Sequence, residues 1–152
     1  MSRPPVAMHL RAVINRLRRR PSHAVLFRML FGEMQRGQPL PGTRISPSTC
    51  IEHEDRLTLG DDVFIGHFNF IEASSGVCIG SSTQVTNFIS IVSHSTHRSV
   101  RVAARLSGAP APAADGSQPS DIRAPIEIGP YCFIGPHSVI EAGAVLGEGC
   151  LV

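Results

Sequence analysis

The chain has 152 residues, of which 42% are hydrophobic and 17% charged, and these proportions fit one globular domain with a modest core. Its many Ile, Leu and Val residues exclude disorder along the whole chain, and no apolar run approaches the roughly 20 residues of a membrane-spanning helix. The net charge of +2 hides an asymmetry, because residues 1–36 hold eight Arg and one acid, whereas residues 37–152 hold six Arg and eleven acids.

Residues 1–40 are predicted to form a basic helical segment. An apolar stripe with the i, i+3, i+4, i+7 spacing of one helix face runs through Leu10, Val13, Ile14 and Leu17. Pro21 is expected to end this helix, and Ser22 is a suitable N-cap for a second helix that continues to about Phe31.

Arginines cover much of the remaining surface of the first helix, at positions 11, 16, 18, 19 and 20. A basic amphipathic helix can make a weak contact with an anionic membrane surface. The interpretation that we favour is a helix packed against the main domain, with its arginines in solvent. Nucleic-acid binding is not expected, because no aromatic residues interleave the arginines.

The four cysteines are Cys50, Cys78, Cys132 and Cys150, and they contain no Cys-x-x-Cys pair. A disulfide scaffold and a zinc finger are therefore both disfavoured. The short apolar run at residues 24–27 is interrupted by Arg28 without an obvious cleavage site, unlike the apolar part of a secretory signal. We expect a cytoplasmic protein with reduced thiols.

A six-residue period begins at residue 45, and each hexad starts with Ile, Leu or Val. These aliphatic heads are Ile45, Ile51, Leu59, Ile65, Ile71, Ile79, Val85, Ile91, Ile128, Ile134, Ile140, Leu146 and Val152. Glycine often follows the head, where it would let the backbone bend without a Cβ clash. A small or β-branched residue stands four positions after the head, and Cys132 and Cys150 occupy such packing positions. The pattern predicts a three-sided coil in which three hexads complete one circuit.

Three steps of the period are longer than six residues. They lie between Ile51 and Leu59, between Ile71 and Ile79, and between Ile91 and Ile128. With three hexads to a circuit, all three insertions fall at the same corner of the coil. The largest is a loop over residues 92–127, whose start is expected to be ordered and whose Pro- and Gly-rich middle is expected to be mobile.

This repeat resembles the left-handed parallel β-helix of the hexapeptide-repeat acyltransferases, which include the galactoside and maltose O-acetyltransferases. The resemblance implies an all-β fold over residues 41–152, with the loop 92–127 inserted. It also implies transfer of an acetyl group from acetyl-CoA to a saccharide hydroxyl, and links the chain to polysaccharide biosynthesis. No metal is expected.

The resemblance identifies catalytic residues at the root of the long loop. Galactoside enzymes carry a His-x-x-His arrangement here, which maps to His94 and His97, and its first His is the general base. An imidazole suits this role because its ordinary pKa leaves it largely neutral near pH 7. The alternative is that these are two loop histidines without a role. This alternative is favoured for His97 but not for His94.

Substrate-binding residues are expected near the same edge, one circuit earlier. His67, Asn69 and Glu72 are the candidates there, and Glu72 could also orient His94. Related enzymes usually have Asn where His67 stands, and a hydrogen-bonded position inside the coil is the alternative for Asn69. Arg98 could bind CoA phosphates or an anionic saccharide, or lie on a solvated helix face.

The same resemblance places acetyl-CoA against the last circuits, at Gly135, Pro136, Ala142 and Gly143. Related chains continue with a further hexad after the position of Val152, so the coil end is expected to be truncated or covered by a neighbour. A homotrimer with sites between subunits and a small-molecule or oligosaccharide acceptor are implied.

Two other functions remain open at the level of sequence. A γ-class carbonic anhydrase shares the fold and would hold zinc on three histidines at the subunit interface, for which His67, His94 and His97 are conceivable. The chain lacks other features of that class, since residues 134–137 read Ile-Gly-Pro-His. A non-catalytic β-helix scaffold is the other alternative.

Overall fold

The structure is a computed structural model that describes residues 6–103 and 121–152. It begins with helix α1 (Val6–Leu26) and a hairpin of β1 (Glu33–Gln35) and β2 (Gln38–Leu40), whose strands pair antiparallel. Beyond Leu40 the described residues are mostly in strands and the turns between them. None of the helices among the described residues is both long and apolar enough to cross a bilayer.

The prediction that Pro21 ends the first helix is wrong, since α1 continues through Pro21 to Leu26 and residues 27–32 form no helix. A proline inside a helix removes one N–H and displaces one carbonyl, a cost that a solvated helix can offset by exposing its backbone to water. The Ser22 hydroxyl donates to the Arg18 carbonyl (3.3 Å) instead of capping a new helix.

The favoured interpretation that α1 packs against the main domain is also wrong. Every described side chain from Met8 to Leu26 is exposed, including the apolar stripe. The predicted helical segment 1–40 is therefore a solvated helix followed by a hairpin.

Three four-stranded parallel sheets build the main domain. The first sheet contains β3 (Arg44–Ile45), β6 (Phe64–Ile65), β9 (Gln84–Val85) and β14 (Phe133–Ile134). The second contains β4 (Cys50–Glu52), β7 (Phe70–Glu72), β10 (Ser90–Val92) and β15 (Val139–Glu141). The third contains β5 (Leu57–Leu59), β8 (Val77–Ile79), β13 (Ile126–Ile128) and β16 (Val145–Leu146).

The chain visits these sheets in the same order four times, and we call each visit to all three a circuit. In the second sheet, Ile51 pairs with Ile71, Ile71 with Ile91 and Ile91 with Ile140, so that hexad heads form a column. The heads from Leu59 to Ile140 are buried, Ile45, Ile51 and Leu146 near the two ends are half-buried, and Val152 is 45% exposed. This arrangement is compatible with the predicted parallel β-helix.

The prediction that all insertions share one corner is confirmed. They lie between the second and third sheets, at residues 53–56, 73–76 and 93–125, and we call this the elaborated corner. Strand β11 (His94–Ser95) pairs antiparallel with β12 (Ile122–Arg123) and closes the base of the longest insertion. Helix α2 (His97–Ala103) follows β11. The expected mobile middle of the loop lies largely in residues 104–120, outside the described residues.

Except for Gly147 in the last circuit, the glycines after the hexad heads are explained by the neighbouring circuit and not by a bend of their own backbone. A Cβ on Gly80 would lie 2.4 Å from the Pro130 nitrogen and 2.6 Å from the Gly129 carbonyl carbon. The left-handed turn residue stands two positions later, at Ser82, with a φ of 56°. Glycine is needed here for close approach of two backbones.

Candidate functional site

The elaborated corner brings His94 next to Glu72. In the second sheet Glu72 pairs with Val92, two residues before His94, so Glu72 and His94 stand at the same corner on neighbouring circuits. His94 itself is held by β11, where it pairs with Arg123. The root of the long loop is thus closed by the pairing of its own two ends.

Glu72 is a buried carboxylate in a dense set of hydrogen bonds. Its side chain is 7% exposed, and it accepts from the Ser74 backbone N–H at 2.8 Å and the Ser93 hydroxyl at 3.1 Å. Burial by itself would raise the pKa of Glu72, but hydrogen bonds from Ser74 and Ser93 and the neighbouring His94 hold that pKa at about 2. Glu72 is therefore ionised at neutral pH.

His94 faces this carboxylate through one ring nitrogen. Its Nδ1 lies 3.5 Å from Glu72 Oε2, and it is buried without a hydrogen-bond partner among the described residues. The His94 side chain is 34% exposed, so another part of the ring reaches solvent. A carboxylate beside Nδ1 favours the tautomer with its proton on Nδ1, which leaves Nε2 as a proton acceptor.

Two cavities meet at His94. The larger, of about 330 Å³, is polar and lies toward the earlier circuits; it is lined by Glu52, His53, Arg56, Glu72, Ser74, His94 and Arg123. The smaller, of about 140 Å³, lies toward the last circuit and the base of the loop; it is lined by Val92, His94, Ser95, His97, Ile122, Glu141 and Ala142. Two separate ligand groups could therefore reach one imidazole.

His97 and Arg98 begin helix α2, and both are exposed. His97 shares the smaller cavity with His94, and its Nδ1 hydrogen-bonds the Ser95 hydroxyl at 2.7 Å. Arg98 does not line either cavity. The structure therefore brings His97, but not Arg98, to the predicted catalytic residue.

The expectation that His67 and Asn69 share an edge with His94 is wrong, because they lie at the corner between the first and second sheets. Asn69 is 2% exposed; its amide donates to the Gly66 and Thr86 carbonyls and accepts from the Ile89 N–H. His67 Nδ1 hydrogen-bonds the Ser46 hydroxyl at 2.6 Å. Both side chains tie circuits together, and only Glu72 of the three lies at the site.

The four residues predicted to bind acetyl-CoA divide between two corners. Ala142 lines the smaller cavity, and Gly143, next to it, has a φ of 83°. Gly135 and Pro136 follow β14 at the other corner, where the Gly135 N–H donates to the Val152 carbonyl at 2.8 Å. Within one chain, only Ala142 of the four shares a cavity with His94.

Sequence reasoning missed Ser74, Ser93 and Arg123 as parts of this site. The sequence could have indicated Ser93, because this residue directly precedes His94 and lies at the elaborated corner. Nothing in the sequence indicates Arg123, since its position beside His94 depends on the antiparallel return of the chain from the long loop.

Within one chain, the histidines named for a zinc site lie apart, because His67 is at a different corner from His94 and His97. In residues 6–103 and 121–152, no group of three His, Cys, Asp or Glu side chains could hold a metal ion. The four cysteines are free thiols. No model of a known protein family matches the chain, and a search of curated proteins finds no significant match.

Proposed function

We propose that the chain is a left-handed parallel β-helix of the hexapeptide-repeat type and transfers acetyl groups from acetyl-CoA to a saccharide hydroxyl. The observation that carries the proposal is the position of His94. Its ring stands between two cavities, with Nδ1 directed at an ionised, buried carboxylate. This combination of base, orienting group and two adjoining cavities is what a direct transfer between two substrates requires.

His94 acts as the general base in this proposal, and Glu72 is its positioning residue. Nε2 accepts the proton of the acceptor hydroxyl while the hydroxyl oxygen attacks the thioester carbonyl. Glu72 holds the Nδ1 proton in place and stabilises the imidazolium that forms. The gap of 3.5 Å between Nδ1 and Oε2 closes to a hydrogen bond by a small ring movement, as often happens when substrate binds.

The bonds balance without a covalent enzyme intermediate. A new C–O bond forms between the acetyl carbon and the acceptor oxygen, and the C–S bond of the thioester breaks. The leaving thiolate takes the proton from His94, which returns the ring to its neutral form. His94 therefore serves first as base and then as acid.

The linings of the two cavities support one placement of the two proposed substrates. The larger one presents Glu52, Arg56 and Arg123, and such charged groups suit the many hydroxyls of a saccharide. The smaller one contains Val92, Ile122 and Ala142, whose apolar surface suits the acetyl and thioester end of acetyl-CoA.

A homotrimer belongs to the same proposal. Large apolar side chains lie exposed near the last circuit, among them Tyr131 (64%), Val139 (61%) and Val145 (69%). Contact between copies would cover such surface and would bring the corner with Gly135 and Pro136 toward the site of a neighbour.

The test is thiol release from acetyl-CoA in the presence of a panel of mono- and disaccharides. We expect His94→Ala to lower kcat by at least about a hundredfold while leaving acetyl-CoA affinity unchanged. His9→Ala, in exposed α1, is the matched control and should retain wild-type turnover. Glu72→Gln should lower kcat with little change in KM. Unchanged turnover of His94→Ala would remove His94 as the base.

A further inference from the structure

Helix α1 carries an apolar face that nothing in the described chain covers. Its apolar side chains are between 44% and 61% exposed over Leu10, Val13, Ile14 and Leu17. The chain just after it makes the contact with the sheets, where the Phe27 ring lies 5.2 Å from His67 and 5.6 Å from Phe68. The helix is thus attached at its C-terminal end and solvated along its length.

Most of the large apolar residues of α1 form one continuous stripe, and Met8 and Leu26 lie on the opposite side of the helix. At 3.6 residues to a turn, Leu10, Val13, Ile14, Leu17 and Val25 fall within an arc of about 120°. A stripe of this width is what an interfacial helix buries.

Arginines border the stripe on both sides. By the same helical geometry, Arg11 and Arg18 flank one edge, and Arg16 and Arg20 flank the other. The helix contains no acid to neutralise them. Arginines in these positions can extend along the apolar face while their guanidinium groups contact phosphates above it.

We propose that α1 binds an anionic phospholipid surface, with the stripe inserted at the level of the acyl chains and the flanking arginines on lipid phosphates. The positive charge of α1 favours a lipid surface over a second copy of α1 as the partner that covers the stripe. Two such helices packed face to face would place arginine beside arginine with no acid in either helix. A lipid surface offers apolar depth and negative charge together.

The first experiment is co-sedimentation of the full chain with vesicles. One preparation contains phosphatidylcholine alone, and the other contains phosphatidylcholine and phosphatidylglycerol in equal parts. We expect binding to the anionic vesicles at least about tenfold tighter than to the neutral ones, and weakening as salt is raised. The chain has no Trp, so Leu17→Trp gives a single indole whose emission should shift to shorter wavelength on binding.

Two variants of equal charge separate the stripe from the arginines. Leu17→Asp places a carboxylate in the stripe and should reduce vesicle binding by at least about tenfold, whereas Asn15→Asp on the polar face should retain most of it. Equal binding of the two variants, or no wild-type binding to anionic vesicles, would overturn the proposal. So would a changed oligomeric state of Leu17→Asp without vesicles, which would show that a second copy covers the stripe.

Discussion

Glu72 Oε2 lies 3.5 Å from His94 Nδ1, although the two residues belong to different circuits of the chain. The register of the second sheet accounts for this, since Glu72 pairs with Val92. A parallel sheet repeats side-chain positions from one strand to the next. The sheet register therefore places Glu72 beside the start of the long loop, and the pairing of β11 with β12 then holds His94 next to it.

Glu72 should make the stability of the fold depend on pH in the acid range. Its folded-state pKa of about 2 lies below the ordinary value of 4.5, so its contribution is complete above pH 4.5 and is lost as pH falls through about 2. The shift corresponds to about 3 kcal/mol of unfolding free energy at neutral pH. Urea unfolding of wild type and Glu72→Gln across this range measures it.

Glu72→Gln is expected to be less stable than wild type at neutral pH and to approach it near the acid end of the range. Glu127→Gln is the matched control, because Glu127 is exposed in the third sheet. It should follow the wild-type pH profile. If Glu72→Gln kept the full acid-dependent loss, another group would be responsible.

Asn69→Ala should destabilise the coil by about 3 kcal/mol, because it leaves the Thr86 carbonyl and the Ile89 N–H without their buried partner, whereas the Gly66 carbonyl keeps the Thr49 hydroxyl. Asn15→Ala, on the exposed helix, should change stability by less than about 0.5 kcal/mol. Thermal unfolding measures both. A raised KM for the acceptor in folded Asn69→Ala would restore the substrate-binding role predicted from sequence.

Gly80 and Gly147 both follow a strand of the third sheet, in the second and fourth circuits, but they should differ in their tolerance of a methyl group. Gly80→Ala puts Cβ 2.4 Å from the Pro130 nitrogen and should cost about 2 kcal/mol or more. Gly147→Ala, at the same place in the last circuit, meets nothing within 4 Å and should be nearly neutral. Chemical denaturation compares them directly, and equal losses would contradict the close approach of circuits.

Gln35 should protect the open edge of the third sheet. Its side-chain amide donates to the Leu57 carbonyl and accepts from the Leu59 N–H, both at 2.9 Å, as a neighbouring strand would. Gln35→Ala is expected to lose about 1–2 kcal/mol and to aggregate faster, whereas Gln38→Ala, which is exposed, should not. Light scattering during heating measures the aggregation, and identical curves would argue against this role.

The sheets could be predicted from sequence because the hexad is a local signal. Each face of the coil buries one aliphatic head per circuit, so Ile71, Ile91 and Ile140 can each be recognised from the local sequence. Counting three hexads to a circuit then places every insertion at one corner. The same counting was wrong for His67 and Asn69. These two residues follow a strand of the first sheet, whereas His94 follows a strand of the second sheet. An error of one sheet in the count therefore places a residue at the wrong corner of the coil.

The surroundings of α1 could not be predicted in the same way. Its pattern is that of any amphipathic helix, and periodicity does not say whether a face meets protein or another surface. Pro21 shows a second limit, because the cost of proline depends on whether water can reach the backbone around it. Contacts made across the long loop, such as Arg123 beside His94, depend on where the chain returns.

The most direct test of acetyl transfer at this site is a calorimetric titration of acetyl-CoA into the 152-residue chain. Saturable binding is expected, retained in His94→Ala and weakened in Ala142→Trp, which would fill the smaller cavity. Absence of binding to the wild-type chain would contradict the proposal that this chain holds acetyl-CoA beside His94.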